Sequence, residues 1–252
     1  MRRLHRRGRN VQMKTLVLLH GFPFDSSMWN EVKRFIPSTV KVITPDLRGV
    51  NRSLSIGAPP SLDIIAEDIL SMIDSHGIKD IYLAGMSMGG YVALAFAEKF
   101  RTRLSGLGLL NTHASADTPD AKTARFDLIN KIKRDGIKVA IDVMLPRVFS
   151  EQIPEWKDYM LRGSDKAGAD GICWMLEAMA YRPDRNNLLG TISVPSLVIH
   201  GEKDISISEQ RSRDLVKCLP FGQFVMIQGA GHASPIEAPK KVASALLSWC
   251  ER

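Results

Sequence analysis

Gly85-Met86-Ser87-Met88-Gly89, followed by Gly90, narrows the folds open to this chain more than any other stretch. Ahead of it, Ile81-Tyr82-Leu83-Ala84 reads as a buried strand. Behind it, Val92, Leu94, Ala95 and Phe96 place apolar residues along a helix over 88–100. A strand that turns into a helix within so few residues needs small side chains where the two backbones approach. Glycines two positions either side of a serine meet that need and leave the serine at the tip of the bend. As a bare pattern G-x-S-x-G is weak, and a plain β-to-α turn or a phosphate cradle at a helix N-terminus are rival readings. The stretch lacks the G-x-G-x-x-G dinucleotide pattern and the Gly-Lys-Ser/Thr end of a nucleotide loop. Its flanks point to Ser87 as a nucleophile.

The rest of the first half repeats the rhythm. Residues 14–20, 40–45, 80–85 and 104–111 read as strands. Between them, Leu62, Ile65, Ile69, Met72 and Ile73 form one helical stripe, with Ser61 to cap its start and Gly77 to end it. Such alternation predicts a mostly parallel sheet with helices on both faces. From His113 to Gly190 the pattern is helical, over 121–135, 137–145, 151–161 and 168–181. Strands return at 194–200 and 223–228, and a helix over 235–250 closes the chain. The expected organisation is a basic arm over 1–13, an α/β core from 14–112 and 191–252, and a helical cap over 113–190.

A serine hydroxyl needs a base beside it to act as a nucleophile at neutral pH. Of six histidines, His5 lies in the arm, His76 ends a surface helix, and His20 and His200 end strands before glycines. His113 follows a strand and suits either a structural or a site role. His232, in Gly229-Ala230-Gly231-His232, falls between the last strand and the last helix. Loops that leave the carboxyl ends of parallel strands lie on one side of the sheet, so His232 shares that side with Ser87. Asp204, in Gly201-Glu202-Lys203-Asp204, is the carboxylate expected to orient it, with Glu202 and Asp46 as competitors. The order Ser87, Asp204, His232 is that of nucleophile-elbow hydrolases. Two N–H donors for an oxyanion are expected from Met88, after the nucleophile, and from Phe22, since Pro23 has no N–H.

The formal charge of +7 suggests nucleic acid until its placement is seen. Arg2, Arg3, Arg6, Arg7 and Arg9 supply most of it from ten residues without an acid, so the body is nearly neutral. The arm reads first as solvated or as an extension ahead of Met13, with a membrane- or nucleic-acid-binding arm as the alternative. No apolar run approaches the roughly 18 residues of a membrane span. Cys173, Cys218 and Cys250 are far apart, which fits neither a disulfide framework nor a zinc site and suits a reducing cytoplasm.

His20-Gly21-Phe22-Pro23, Asp46-Leu47-Arg48-Gly49, Gly85-Met86-Ser87-Met88-Gly89, Gly201-Glu202-Lys203-Asp204 and Gly229-Ala230-Gly231-His232, in this order, resemble the α/β-hydrolase superfamily. Within it they resemble the small capped esterases and enol-lactonases. The resemblance implies the α/β-hydrolase fold, no cofactor and usually no metal, and a small-molecule ester or lactone as substrate; the placement of the charge and the lack of a long apolar run argue against nucleic-acid and membrane partners. Val50 and Asn51 depart from the usual Gly-His-Gly of the turn after Arg48. Residues 1–13 carry little β-pattern, so the family's first two strands are expected to be short or missing, leaving about six or seven. Met144, Phe149, Trp156, Trp174 and Met179 are the expected apolar lining of the cap, and Arg147 a candidate for a substrate carboxylate. The activity expected is hydrolysis of carboxylic esters with small to medium acyl groups. The alternatives are enol-lactone or C–C hydrolysis by the same triad, or ligand binding without turnover.

Overall fold

The computed structural model describes residues 13–50 and 57–251. Asn51 and the arginines of the basic arm lie outside the described residues. Among the described residues, six strands, β1 (Lys14–Leu19), β2 (Val40–Ile43), β3 (Ile81–Met86), β4 (Leu104–Leu110), β5 (Ser196–Gly201) and β6 (Gly222–Ile227), form one sheet in the order β2-β1-β3-β4-β5-β6. Every neighbouring pair is parallel. Each strand therefore needs a crossover, and helices supply them. In chain order they are α1 (Asn30–Lys33), α2 (Leu62–Ser75), α3 (Met88–Lys99), α4 (Pro119–Asp135), α5 (Lys138–Val148), α6 (Pro154–Ala180), α7 (Asn186–Leu189), α8 (Glu209–Cys218), α9 (Ser234–Glu237) and α10 (Pro239–Cys250).

The two-residue period of a strand divides the core between the sheet faces. Val17, Leu19 and Leu83 pack with α2, α3 and α8 residues such as Ile69, Val92 and Leu215. Leu16, Leu18 and Ala84 pack on the other face with Trp29, Val32 of α1 and Leu246 and Trp249 of α10. These strands are buried on both sides, which is why they read as unbroken apolar runs. Ser61 caps α2 by accepting the Asp63 N–H, and Gly77 follows its end at φ 63°.

Between β4 and β5 the chain runs through α4 to α7 without a strand. The two helices expected over 151–161 and 168–181 are both present as the two halves of α6, which meet at Gly168, where φ of 69° and ψ of 174° leave the helical region. Proline at position 146 does not stop α5, which continues to Val148. The last predicted helix is split into α9 and α10 ahead of Pro239.

The strand order reverses next to β1. The chain adds β2 on one side of β1 and then β3 on the other. Open parallel sheets bind ligands at the carboxyl ends of strands at such a switch point. The loops leaving β1 and β3 carry Phe22 and Ser87 to that place.

Candidate active site

Ser87 joins β3 to α3 with φ 51° and ψ −113°, a backbone conformation that side chains other than glycine rarely adopt. Its surroundings hold it there. The Ser87 N–H donates to the Leu110 carbonyl at 2.9 Å, and the Thr112 hydroxyl donates to the Ser87 carbonyl at 2.9 Å. The flanking glycines are there for contact. A Cβ on Gly85 would sit 2.0 Å from the Gly89 carbonyl oxygen, and one on Gly89 would sit 2.5 Å from that of Leu19. No larger residue lets β3 turn into α3 this sharply.

His232 reaches Ser87 from the loop after β6. Its Nε2 lies 3.0 Å from Ser87 Oγ, and its Nδ1 lies 2.8 Å from Asp204 Oδ2. Both His232 and Asp204 are buried. Burial pushes the Asp204 carboxyl upward. The His232 ring, the Asn111 amide and the Ile207 N–H outweigh it, and the group ends below the usual carboxylate range. An ionised carboxylate only accepts, so His232 Nδ1 donates to it and Nε2 keeps its lone pair toward Ser87. The arrangement can take a proton from Oγ.

Asp204 is itself fixed on both oxygens. Oδ1 accepts from the Ser206 and Ile207 N–H groups at 2.8 and 3.0 Å. Oδ2 accepts from Asn111 Nδ2 at 2.9 Å, beside His232. Asn111 is in turn oriented by the Ser234 hydroxyl, which donates to its Oδ1 at 2.6 Å, and its backbone sits at φ 46°. Glu237 Oε2 accepts from Gly231 N–H at 3.0 Å and from Ser150 N–H at 2.9 Å, tying the His232 loop to the chain after α5. Sequence reasoning passed over Asn111 and Glu237. An asparagine at a strand end and a glutamate two residues before a proline carry no signal without their partners. The competitors of Asp204 are engaged elsewhere: Asp46 with Ser26 N–H and Lys166, Glu202 with Gly229 N–H.

The loop after β1 is set by His20. Leu47 N–H donates to His20 Nε2 at 3.0 Å, so the ring's proton is on Nδ1, which donates to the Gly21 carbonyl at 2.9 Å. Burial holds this imidazole below its ordinary value, and therefore neutral. The planar peptide points the Phe22 N–H away from the Gly21 carbonyl. No hydrogen bond to a turn, loop or side chain occupies the N–H of Phe22 or Met88 among the described residues. Of the other histidines, His76 is exposed, His200 pairs with the Ser212 hydroxyl at 3.0 Å, and His113 lies 3.1 Å from the Tyr91 hydroxyl.

Ser87, His232 and Phe22 open onto a cavity of about 450 Å³. Met144 and Met179 line it, as does Arg147. Phe149, Trp156 and Trp174 do not. Phe149 stacks on Trp156 at 5.5 Å and meets Phe24 edge-on at 6.2 Å, within the core of the α10 face. Trp174 is buried on the α2 side and donates its Nε1 proton to the Ala58 carbonyl at 3.0 Å. At about 100° per residue, Trp174 faces away from Leu176 and Met179, the α6 residues that line the cavity. Tyr91, Arg125 and Leu128 also line it without having been anticipated. Among the described residues no group of three His, Cys, Asp or Glu is placed to hold a metal ion.

Comparison with known proteins agrees with this architecture. Residues 16–245 match a family profile described as alpha/beta hydrolase family. A thermophilic esterase from Thermogutta terrifontis, solved with malate bound, is similar in structure, with a TM-score of 0.89 and 35% identity over 94% of this chain and 89% of that one. In sequence, the chain is 26% identical to 3-oxoadipate enol-lactonase 1 of Acinetobacter baylyi, over 90% of this chain and 84% of the relative. It is 28% identical to a 2-hydroxy-6-oxononadienedioate/2-hydroxy-6-oxononatrienedioate hydrolase of Paraburkholderia phymatum, over 98% of this chain and 90% of the relative.

Proposed function

We propose that this chain, which belongs to the alpha/beta hydrolase family, is a serine hydrolase that cleaves carboxylic esters of small to medium acyl groups through an acyl-enzyme. One observation carries the reading: a single imidazole touches Ser87 Oγ at 3.0 Å through one nitrogen and Asp204 at 2.8 Å through the other.

Ser87 Oγ attacks the ester carbonyl carbon while His232 Nε2 takes its proton. Asp204 stabilises the imidazolium. The N–H groups of Phe22 and Met88 receive the carbonyl oxygen as it gains charge, each contributing about 3 kcal/mol in the transition state. Collapse expels the alcohol, which takes the proton from His232. Water, deprotonated by His232, then attacks the acyl carbon and releases the acid and Ser87. The helices over 113–190 act as a cap on the core formed by 14–112 and 191–252. A cavity of about 450 Å³ suits a small or medium acyl chain. The free thiols of Cys173, Cys218 and Cys250 support a cytoplasmic location. Among the described residues no helix is long and apolar enough to cross a membrane.

Rapid mixing with p-nitrophenyl esters of rising chain length tests the reading. It predicts a burst of p-nitrophenol equal to the enzyme concentration, fastest at short to medium chains. Linear release without a burst at any length, with no turnover above buffer, would contradict it. The enol-lactonase and C–C hydrolase relatives favour a second reading, in which the same residues open an enol-lactone or a vinylogous diketone. Fast turnover of such compounds with only slow ester cleavage would select it.

A further inference from the structure

Behind one wall of the cavity lies a buried ionic cluster that the hydrolytic steps leave unused. Asp117, with a side chain 5% exposed, accepts from Arg125 Nε at 2.5 Å and from Arg182 at 2.7 Å. Arg182 is 2% exposed, lies 4.1 Å from the centre of the Tyr91 ring, and also donates to the carbonyls of Ser115 and Met179. Next to it, burial first and Arg182 second drive His113 down to about 3, so it adds no charge at neutral pH. Two guanidinium groups thus face one carboxylate, and the cluster holds one uncompensated positive charge.

Asp117 fixes Arg125 through Nε and Nη2 and leaves Nη1 free of oxygen partners. Nη1 meets the Met179 sulfur at 3.6 Å, a weak acceptor. Arg125 and Met179 both line the cavity that holds Ser87. Lys131 and Arg147 line it too, neither in an ion pair among the described residues, against the single carboxylate of Asp127. The remaining lining is largely apolar, with Leu128, Met144 and Leu176. An excess charge in such a wall is costly unless an anion shares the space. A carboxylate on the substrate offsets part of it.

We propose that Arg125 is the base of an anion subsite, with Lys131 and Arg147 at its rim, and that the substrate cleaved at Ser87 carries a carboxylate on its acyl or leaving group. This rests on Ser87 as the hydrolytic centre. The apolar lining receives the body of the substrate, and the guanidinium receives the charged end.

The test is protection of Ser87 from a fluorophosphonate probe by two matched ligands, monomethyl adipate with one free carboxylate and neutral dimethyl adipate. The acid is expected to slow labelling at an about 10- to 100-fold lower concentration than the diester. Added salt should narrow the gap, and Arg125→Gln should close most of it. If Arg125→Gln does not fold, the Lys131→Gln, Arg147→Gln double variant and the salt series in the wild type carry the same comparison. Equal or weaker protection by the acid overturns the subsite, as does a preference that survives both salt and substitution. Failure of the probe to label wild-type Ser87 at all would instead sink the hydrolase reading.

Discussion

Asp204 spends one oxygen on two backbone N–H groups and the other on both His232 and Asn111. Asn111→Ala removes a hydrogen bond to a charged acceptor in a buried place, and kcat/KM should fall by about 10- to 100-fold, read with a p-nitrophenyl ester. Asn111→Asp should be worse, because it sets a second carboxylate against the first. Asp204 titrates below its ordinary value. It therefore contributes stability that is present above the unfolded pKa of about 3.9 and is lost as pH falls through the lower folded value. The meeting of Ser87, His232 and Asp204 was legible in the sequence because the chemistry proposed for them needs those residue types in that chain order. Asn111 was not: its side chain acts only through a partner 93 positions away.

Among elements, the β3–α3 junction is the most tightly determined. Gly85→Ala would drive a methyl into the Gly89 carbonyl, and the expected loss is about 3 kcal/mol, seen as a lower denaturant midpoint with an unchanged slope. Strands β1, β3, β4 and β5 were legible because both of their faces are buried, while β2 and β6 are only half-buried at the sheet edges. The polar α8, Glu-Gln-Arg-Ser-Arg-Asp-Leu-Val-Lys-Cys, buries only Ser212 and Leu215, too few apolar positions to mark it in the sequence. The helices between β4 and β5 were visible as helices, but not the way each one faces. Periodicity marks an apolar stripe without saying what covers it. Hence Met144 and Met179 reach the cavity while Phe149, Trp156 and Trp174 pack elsewhere. In α6 the backbone comes close to the core: a Cβ on Gly163 would lie 2.2 Å from the Pro23 carbonyl oxygen. Gly163→Ala should shift the loop that carries the Phe22 N–H, so kcat should fall more than KM rises, which steady-state kinetics on one ester resolves.

Across the whole molecule, His20, His113 and His200 are buried with pKa values held below the ordinary one, each chiefly by burial. Between its folded value and about 6.5, each binds more protons unfolded than folded. Stability is therefore full above about pH 6.5 and declines as pH falls through that window, which for His113 extends to about 3. Thermal melting should show a midpoint that drops steadily from pH 7 to pH 4, and a His113→Asn variant should flatten the slope. The family was legible at this scale because five short pieces in fixed order specify one sheet, whereas the substrate depends on side chains from α4, α5 and α6 that meet only in three dimensions. The assembly of Ser87, His232 and Asp204 into one working site is tested most directly by intact-protein mass spectrometry after fluorophosphonate treatment. One adduct is predicted on the wild type, located at Ser87, absent from Ser87→Ala, and formed about 10²- to 10⁴-fold more slowly in His232→Ala. An adduct that persists in Ser87→Ala, or that forms at the wild-type rate without His232, would contradict the account.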